Sequence, residues 1–151
     1  MATENTARAV LSGPMRFDGV SGSGHTVAMD ATADVGGADG GPTPMELLLV
    51  ALAGCTGMDV ISILRKKRQQ VTGYEVLVHG VRAEEHPKVY TQITVEHVVT
   101  GRNVNPAAVA RAIELSETKY CGVSKTLEKT ARILATYRIV EAEEGMRGVS
   151  S

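Results

Sequence analysis

The sequence predicts an α+β fold, in which strands and helices are segregated rather than alternating. One long apolar segment over residues 43–69 indicates a helix, and shorter alternating segments on both sides of it indicate strands. The predicted order is strands, long helix, two strands, helix and strand, without strand–helix–strand alternation or an internal repeat. At 151 residues with 43% hydrophobic side chains, the chain has the length and composition of one globular domain. We therefore expect a single domain over residues 1–151, with a polar tail at about 143–151.

Short strands and turns precede the long helix. Gly13-Pro14 and Asp18-Gly19 are turn dipeptides, and the segments around them favour strands. The pattern predicts an antiparallel meander with strands over residues 6–11, 15–17 and 25–30. Glycines are frequent over residues 34–42, but their spacing matches no phosphate-binding fingerprint. This segment is therefore predicted to be a linker into the helix.

The long helix is predicted over residues 43–69. Thr43 is a suitable N-cap, Pro44 suits the first helical position, and the basic residues 65–68 complement the negative end of the helix dipole. Apolar side chains cover every face of residues 45–64, which is typical of a helix buried all round. Because the chain has few residues to cover such a helix, we expect a second copy to bury it in a homodimer.

The same apolar segment is long enough to span a lipid bilayer. Glu46 and Asp59 within it, and Gly54 and Gly57 near its centre, disfavour a membrane span. Residues 1–10 lack the apolar core of a signal peptide, so we expect a cytoplasmic protein. The net charge of -1 includes no basic excess of the kind that nucleic-acid-binding modules have. We therefore expect neither a membrane nor a nucleic acid as a partner.

Beyond the long helix, the pattern predicts an antiparallel pair of strands, a second helix, a short helical segment and a last strand. The second helix begins at Asn105-Pro106, a typical N-cap and first helical residue, and apolar residues follow a helical period to Thr118. The predicted ranges are 74–81 and 89–99 for the paired strands, 106–118 and 123–130 for the helices, and 131–141 for the last strand.

The two cysteines, Cys55 in the long helix and Cys121 after the second helix, are the candidate chemical groups. They lie 66 residues apart, the four histidines are scattered, and no Cys-x-x-Cys spacing occurs, so we expect no metal and no cofactor. No histidine adjoins either cysteine in a hydrolase motif. A buried cysteine often serves only as a small hydrophobe. The alternative is a redox pair, in which one thiolate attacks an oxidant and becomes a sulfenic acid, and the second thiol condenses with it to release water.

A reactive thiolate needs a nearby cation, and Asp59, one helical turn after Cys55, acts in the opposite direction. Arg16 and Arg82 are the candidate activating cations, and the alternative for each is an ordinary surface arginine. Cys121 follows a helix end, where it is freer to move than Cys55, so it suits the resolving role.

Two segments resemble the OsmC/Ohr family of osmotically inducible and organic hydroperoxide resistance proteins: TPMELLLVALAGC over residues 43–55 and LSETKYCGVS over residues 115–124. The resemblance covers nearly the whole chain and implies an intertwined α+β homodimer, with antiparallel sheets wrapped around long central helices. It also implies a thiol peroxidase that reduces hydrophobic organic hydroperoxides in oxidative or osmotic stress, without a metal, and that a dithiol reductant regenerates. On this resemblance, Cys55 is the peroxidatic cysteine, Cys121 the resolving cysteine and Arg16 the activating arginine.

The sequence departs from the family pattern at one position. In the peroxidase branches the motif reads Asn-Pro-Glu, with the glutamate ten residues before the cysteine, whereas Met45 occupies that position here. Glu46 follows one residue later, about 180° around the helix from Cys55. The chain therefore resembles a divergent branch, and a second hypothesis is a small-molecule binding protein of the same fold with little peroxidase activity.

Overall fold

The structure, a computed structural model, describes residues 2–143, so the part of the predicted polar tail beyond residue 143 lies outside the described residues. In chain order, the elements are β1 (Ala7–Leu11), β2 (Phe17–Ser21), β3 (Thr26–Met29), a 3-10 turn (Ala33–Val35), α1 (Pro44–Lys66), β4 (Gln70–Arg82), β5 (Tyr90–Arg102), α2 (Pro106–Leu115), a π-helical turn (Ser116–Tyr120), α3 (Gly122–Leu127) and β6 (Arg132–Glu141). The chain divides into two compact units, one ending at Leu48 and the other beginning at Leu49. A single domain over residues 1–151 stays a prediction.

The first unit contains an antiparallel meander in the order β1-β2-β3, as predicted, but its middle strand covers Phe17–Ser21 rather than residues 15–17. The predicted turn at Asp18-Gly19 is wrong, because both residues lie inside β2. Gly19 pairs with Ala9 on one side and Val27 on the other, and a Cβ atom at this position would lie only 3.1 Å from the Met29 side chain. Close packing against the neighbouring strand, rather than a turn, therefore explains this glycine.

Helix α1 begins with a reciprocal pair of hydrogen bonds. The backbone N–H of Glu46 donates to Thr43 Oγ1 at 3.2 Å, and the backbone N–H of Thr43 donates to Glu46 Oε1 at 2.9 Å. This arrangement is a capping box, and it confirms that Thr43 is the N-cap. It also engages the Glu46 carboxylate at the start of the helix.

The second unit contains a mixed sheet in the order β4-β5-β6. Strands β4 and β5 pair antiparallel, as predicted, and both extend beyond the predicted ranges. Strand β6 pairs parallel to β5, so the prediction of antiparallel sheets needs correction at this strand. A parallel pair needs a crossover connection, which α2, the π-helical turn and α3 supply. The second unit therefore contains a strand–helix–strand crossover that the sequence pattern did not indicate.

The hydrophobic core of the second unit joins α1 and α2 to the sheet. Its members are small or branched aliphatic residues: Val60, Leu64, Val99, Val104, Ala108, Val109, Ala112 and Ile113. Val60 and Leu64, the α1 members, have no exposed surface. Because they are rigidly packed, the preceding turn of α1, which carries Cys55 and Asp59, is held in place.

Within residues 2–143, which the structure describes, one face of α1 is buried. The buried residues recur every four positions and are Leu52, Thr56, Val60 and Leu64. On other faces Val50 is 61% exposed and Met58 is 72% exposed. The sequence predicts a helix that is buried all round. The described residues of one chain do not bury α1 to that extent. Helix α1 is long and apolar enough to cross a membrane, judged by length and composition alone. Core helices of soluble proteins also meet these two criteria.

Candidate active site

The structure brings Cys55 and Cys121 together although they lie 66 residues apart in the sequence. Their sulfur atoms and a carboxylate oxygen of Asp59 all lie within 4.8 Å of one another. Both cysteines are free thiols, and Cys55 is half-buried whereas Cys121 has no exposed surface. This cluster is the candidate active site.

Two local structures position the cluster. Cys55 and Asp59 lie one turn apart on the same face of α1. Cys121 ends the π-helical turn, where its backbone N–H donates to the Ser116 carbonyl at 2.8 Å, and it also caps α3. As the cap, Cys121 Sγ accepts a hydrogen bond from the backbone N–H of Ser124 at 3.3 Å. A thiol therefore fills the capping position that an oxygen side chain more often occupies.

A chain of hydroxyl groups links α1 to the π-helical turn beside the thiols. Ser116 Oγ donates to Asp59 Oδ2 at 2.9 Å and lies 2.8 Å from Thr56 Oγ1. Because the single Ser116 hydroxyl proton is used on Asp59, Thr56 is the donor in the second bond. Ser116 and Thr56 are buried. Sequence reasoning did not single out either residue, because hydrogen bonds between residues 60 positions apart leave no local signal.

Cys121 is held in its protonated form. Burial, more than any other cause, raises the pKa of this thiol to about 11, and the hydrogen bond and charge of Cys55 and the charge of Asp59 act in the same direction. The N–H of Ser124 opposes them, since it favours the thiolate. At neutral pH Cys121 is therefore a thiol, which must lose its proton before its sulfur can attack.

Two further titratable groups, one buried and one half-buried, line a small cavity near this network. His97 and Glu117 share a cavity of about 10 Å³ with Thr56 and Ser124. Burial lowers the pKa of His97 to about 4, whereas burial, with a smaller contribution from Glu128, raises the pKa of Glu117. Both groups therefore favour their neutral forms in the folded protein. The sequence analysis placed His97 on a strand and gave it no role.

The low pKa of His97 predicts a loss of stability in mild acid. The unfolded chain takes up the imidazole proton near pH 6.5, whereas the folded chain takes it up near pH 4, so protons favour unfolding between these values. His97 should cost the fold about 3 kcal/mol as the pH falls from 6.5 to 4. Urea unfolding at constant protein concentration, for wild type and His97→Gln, measures this difference. Parallel pH profiles for the two proteins would contradict the prediction.

Two grooves border α1 in the second unit. One, of about 440 Å³, opens beside Asp59 and is lined also by Met58, Ser62, Ile63, Lys66, Leu115 and Tyr120. The other, of about 650 Å³, lies between α1 and β4, and its lining includes Val50, Gly54, Gly57, Met58, Ile61 and Val76. A Cβ atom at Gly54 would meet nothing within 4 Å, so this glycine lies against open space. The α1 surface next to Cys55 is therefore accessible in a single chain.

Comparison with known proteins shows the family to which this sequence belongs. The family model described as OsmC-like protein matches residues 36–134. The chain belongs to the OsmC-like family. The predicted family relationship and α+β fold are therefore confirmed.

The curated relatives of this OsmC-like protein include the protein YhfA of Escherichia coli strain K12. It is 44% identical over 128 residues, which cover 85% of this chain and 92% of YhfA. Among solved structures, a hypothetical protein from Aquifex aeolicus VF5 is 30% identical with a TM-score of 0.82, and the match covers 94% of this chain and 100% of that chain. A protein from Legionella pneumophila described as an organic hydroperoxide resistance protein has a TM-score of 0.65 at 16% identity, covering 94% and 99% of the two chains. This last likeness concerns the fold alone.

The other predicted site residues of this OsmC-like protein have local partners. Arg16 Nε lies 3.2 Å from Asp18 Oδ1 in the first unit, and Arg82 Nε donates to the Lys88 carbonyl at 2.7 Å in the second. Neither contact establishes which guanidinium activates Cys55, so the role of Arg16 stays a prediction. Glu46 is engaged in the helix cap, and its position on the opposite side of α1 from Cys55 stays a prediction.

Proposed function

We propose that this protein is a cysteine-based thiol peroxidase that reduces organic hydroperoxides. The observation that carries the proposal is the approach of the two sulfur atoms to within 4.8 Å. The half-buried Cys55 is the nucleophile, because a hydroperoxide reaches it more readily than the fully buried Cys121. Cys121 is the resolving thiol, because its sulfur lies close to that of Cys55. Its surroundings raise its pKa and keep it protonated at rest.

The proposed reaction has three steps. The Cys55 thiolate attacks the outer peroxide oxygen, the O–O bond breaks, and a proton completes the alcohol, which leaves Cys55 as a sulfenic acid. The Cys121 thiol then attacks the Cys55 sulfur, so that a disulfide forms and one water leaves. An external dithiol reductant returns both cysteines to thiols by disulfide exchange and becomes a disulfide itself.

The second step needs the Cys121 proton to leave. The Asp59 carboxylate lies within 4.8 Å of both sulfurs, and its bond with Ser116 holds it in place. Asp59 is therefore the proposed acceptor of this proton, directly or through a water molecule. Its negative charge opposes thiolate formation at rest, so the activating cation, Arg16 or Arg82, must offset it.

We propose hydrophobic hydroperoxides as the substrates and the cytoplasm as the location. The groove beside Asp59 combines apolar residues such as Ile63 and Leu115 with Ser62 and Lys66, which suits an apolar peroxide with a polar end. The description of the Legionella pneumophila protein as an organic hydroperoxide resistance protein supports this substrate class. A reducing compartment is needed to regenerate two free thiols.

We also propose a homodimer. The exposed apolar residues of α1, Val50 and Met58 above all, line the groove against β4, and an apolar surface of this kind is stabilised by a second copy. The resemblance to intertwined dimers of the OsmC/Ohr family supports the same assembly.

A second candidate function is small-molecule binding with little peroxidase activity. The observation that favours it is Met45, at the position where the peroxidase branches have glutamate, together with the engagement of Glu46 in the helix cap. Without that carboxylate, the activating arginine lacks the glutamate that holds it in the peroxidase branches.

Peroxide consumption separates the two functions. With a dithiol reductant in excess, the wild-type protein should consume cumene hydroperoxide or tert-butyl hydroperoxide far faster than an equal concentration of free thiol. The reason is that only an activated thiolate reacts quickly. Consumption no faster than that of the free thiol would exclude the peroxidase and favour the binding protein.

A further inference from the structure

The cluster of Cys55, Asp59 and Cys121 also has the composition of a metal site. Two sulfurs and one carboxylate oxygen converge within 4.8 Å, and Cys121 is fully buried. We expected no metal from the sequence because the candidate ligands have no recognised metal-binding spacing. Spacing arguments detect only ligands that are close in sequence, whereas this cluster joins α1 to the end of the π-helical turn.

We propose that the reduced protein binds one thiophilic divalent cation, of the Zn²⁺ or Cd²⁺ class, through Cys55 Sγ, Cys121 Sγ and an Asp59 carboxylate oxygen. Thiolate, imidazole and carboxylate groups are the ligands that zinc takes in proteins, and two thiolates favour it over Mg²⁺ or Ca²⁺. Three protein ligands leave the fourth tetrahedral position for water or another small ligand. The inference goes beyond the proposed peroxidase and does not depend on it.

The distances suit such an ion after a small contraction. Tetrahedral zinc with Zn–S bonds of about 2.3 Å holds two sulfurs roughly 3.8 Å apart. The ligand atoms lie within 4.8 Å, so the cluster needs to close by at most about 1 Å. Side-chain rotation at the half-buried Cys55 supplies a movement of this size.

The groups around the ligands have the orientations that support a metal site. Ser116 donates to one Asp59 oxygen, which fixes the carboxylate while leaving it lone pairs for a cation. Thr56 donates to Ser116 and so holds that hydroxyl in turn. The backbone N–H of Ser124 points at Cys121 Sγ, a bond that stabilises the thiolate which a metal requires. The groove lined by Asp59 lets a cation approach this carboxylate from solvent.

Binding exchanges protons for the ion. Each cysteine that is a thiol at rest loses its proton when it becomes a thiolate ligand of M²⁺, and no electron is transferred. The bound ion uses both sulfurs, so it competes with disulfide formation between them. The site is therefore expected only in the dithiol form.

The test uses the full-length reduced protein under argon, without peroxide, titrated with Cd²⁺ alone and then with Zn²⁺ as competitor. We expect about one ion per chain, a thiolate-to-cadmium charge-transfer absorption in the ultraviolet, and release of protons in weakly buffered solution. Oxidation to the disulfide should abolish all three signals. Because no peroxide is present, failure of metal binding leaves the peroxidase proposal untouched, and failure of peroxide reduction leaves the metal site untouched.

Variants identify the ligands. Asp59→Asn should weaken cadmium binding by at least about 10-fold, and Cys55→Ser or Cys121→Ser by at least about 100-fold with loss of half or more of the absorption. Glu114→Gln, which removes an exposed carboxylate on α2, is the matched control and should bind like the wild type. Circular dichroism checks the fold of each variant. If Cys121→Ser does not fold, the affinities of Asp59→Asn and Cys55→Ser still show whether the cation binds at this cluster.

Three results would overturn the proposal. The first is absence of a charge-transfer band in the reduced wild-type protein. The second is unchanged affinity in Asp59→Asn, which would remove the carboxylate from the site. The third is unchanged affinity in Cys55→Ser, which would place the ion elsewhere on the protein.

Discussion

Replacing Cys55 with serine should abolish hydroperoxide reduction, lowering the catalysed rate at least about 1000-fold. A serine hydroxyl at this position is neither ionised at neutral pH nor able to form a sulfenic acid, so the first step has no nucleophile. The measurement is consumption of cumene hydroperoxide with a dithiol reductant in excess. A Cys55→Ser protein that keeps wild-type consumption would assign the first step to another group.

Cys121→Ser serves as the matched variant, because it changes the other thiol of the same cluster. Without added reductant it should consume one equivalent of hydroperoxide per chain and remain as the Cys55 sulfenic acid, since that group has no intramolecular thiol to condense with. A sulfenic-acid-specific reagent should label Cys55 in this variant after peroxide, and label little in the wild type. Continued turnover at the wild-type rate would exclude Cys121 as the resolving cysteine.

Introducing charges on the exposed apolar face of α1 should convert the proposed dimer into monomers. In Val50→Glu/Met58→Glu, two carboxylates replace side chains that are 61% and 72% exposed within one chain, and burying them against a second copy would leave unpaired charges. The apparent dissociation constant should rise by at least about 100-fold, which corresponds to a loss of roughly 3 kcal/mol. Light scattering or sedimentation across a concentration series measures it.

Ala110→Glu is the control for this experiment, because Ala110 is an exposed residue of α2 that lines neither of the two grooves. It should keep the assembly state of the wild type. A wild-type protein that is a folded, monodisperse monomer at micromolar concentration would contradict the dimer. Dissociation in both variants alike would show that the effect is general and not specific to α1.

The sequence predicts local features well where a local interaction decides them. Thr43 and Glu46 are three residues apart and cap α1 by bonding each other, so the helix start follows from sequence alone. The strand alternation and the Asn105 cap of α2 have the same local character, and the structure confirms both. Asp18-Gly19 is the counterexample, because pairing with strands on both sides overrides a local preference for a turn.

Long-range pairing lies beyond such reasoning. The sequence pattern of the last strand is the same whether it pairs parallel or antiparallel, and only the crossover through α2 and α3 places β6 parallel to β5. The shifted pKa values of His97 and Glu117 cannot be predicted from the sequence either, because they depend on burial by residues from several elements.

The sequence by itself determined the helix that carries Cys55, its cap, the order of the elements and, through residues 43–55 and 115–124, the relationship to the OsmC-like family. Only the tertiary structure decided that Cys121 meets Cys55 and Asp59, and that Ser116 and Thr56 join them. The physical reason is that helix capping and side-chain periodicity depend on residues a few positions apart. The acidity and ligand geometry of a thiol depend instead on whichever groups the folded chain packs around it.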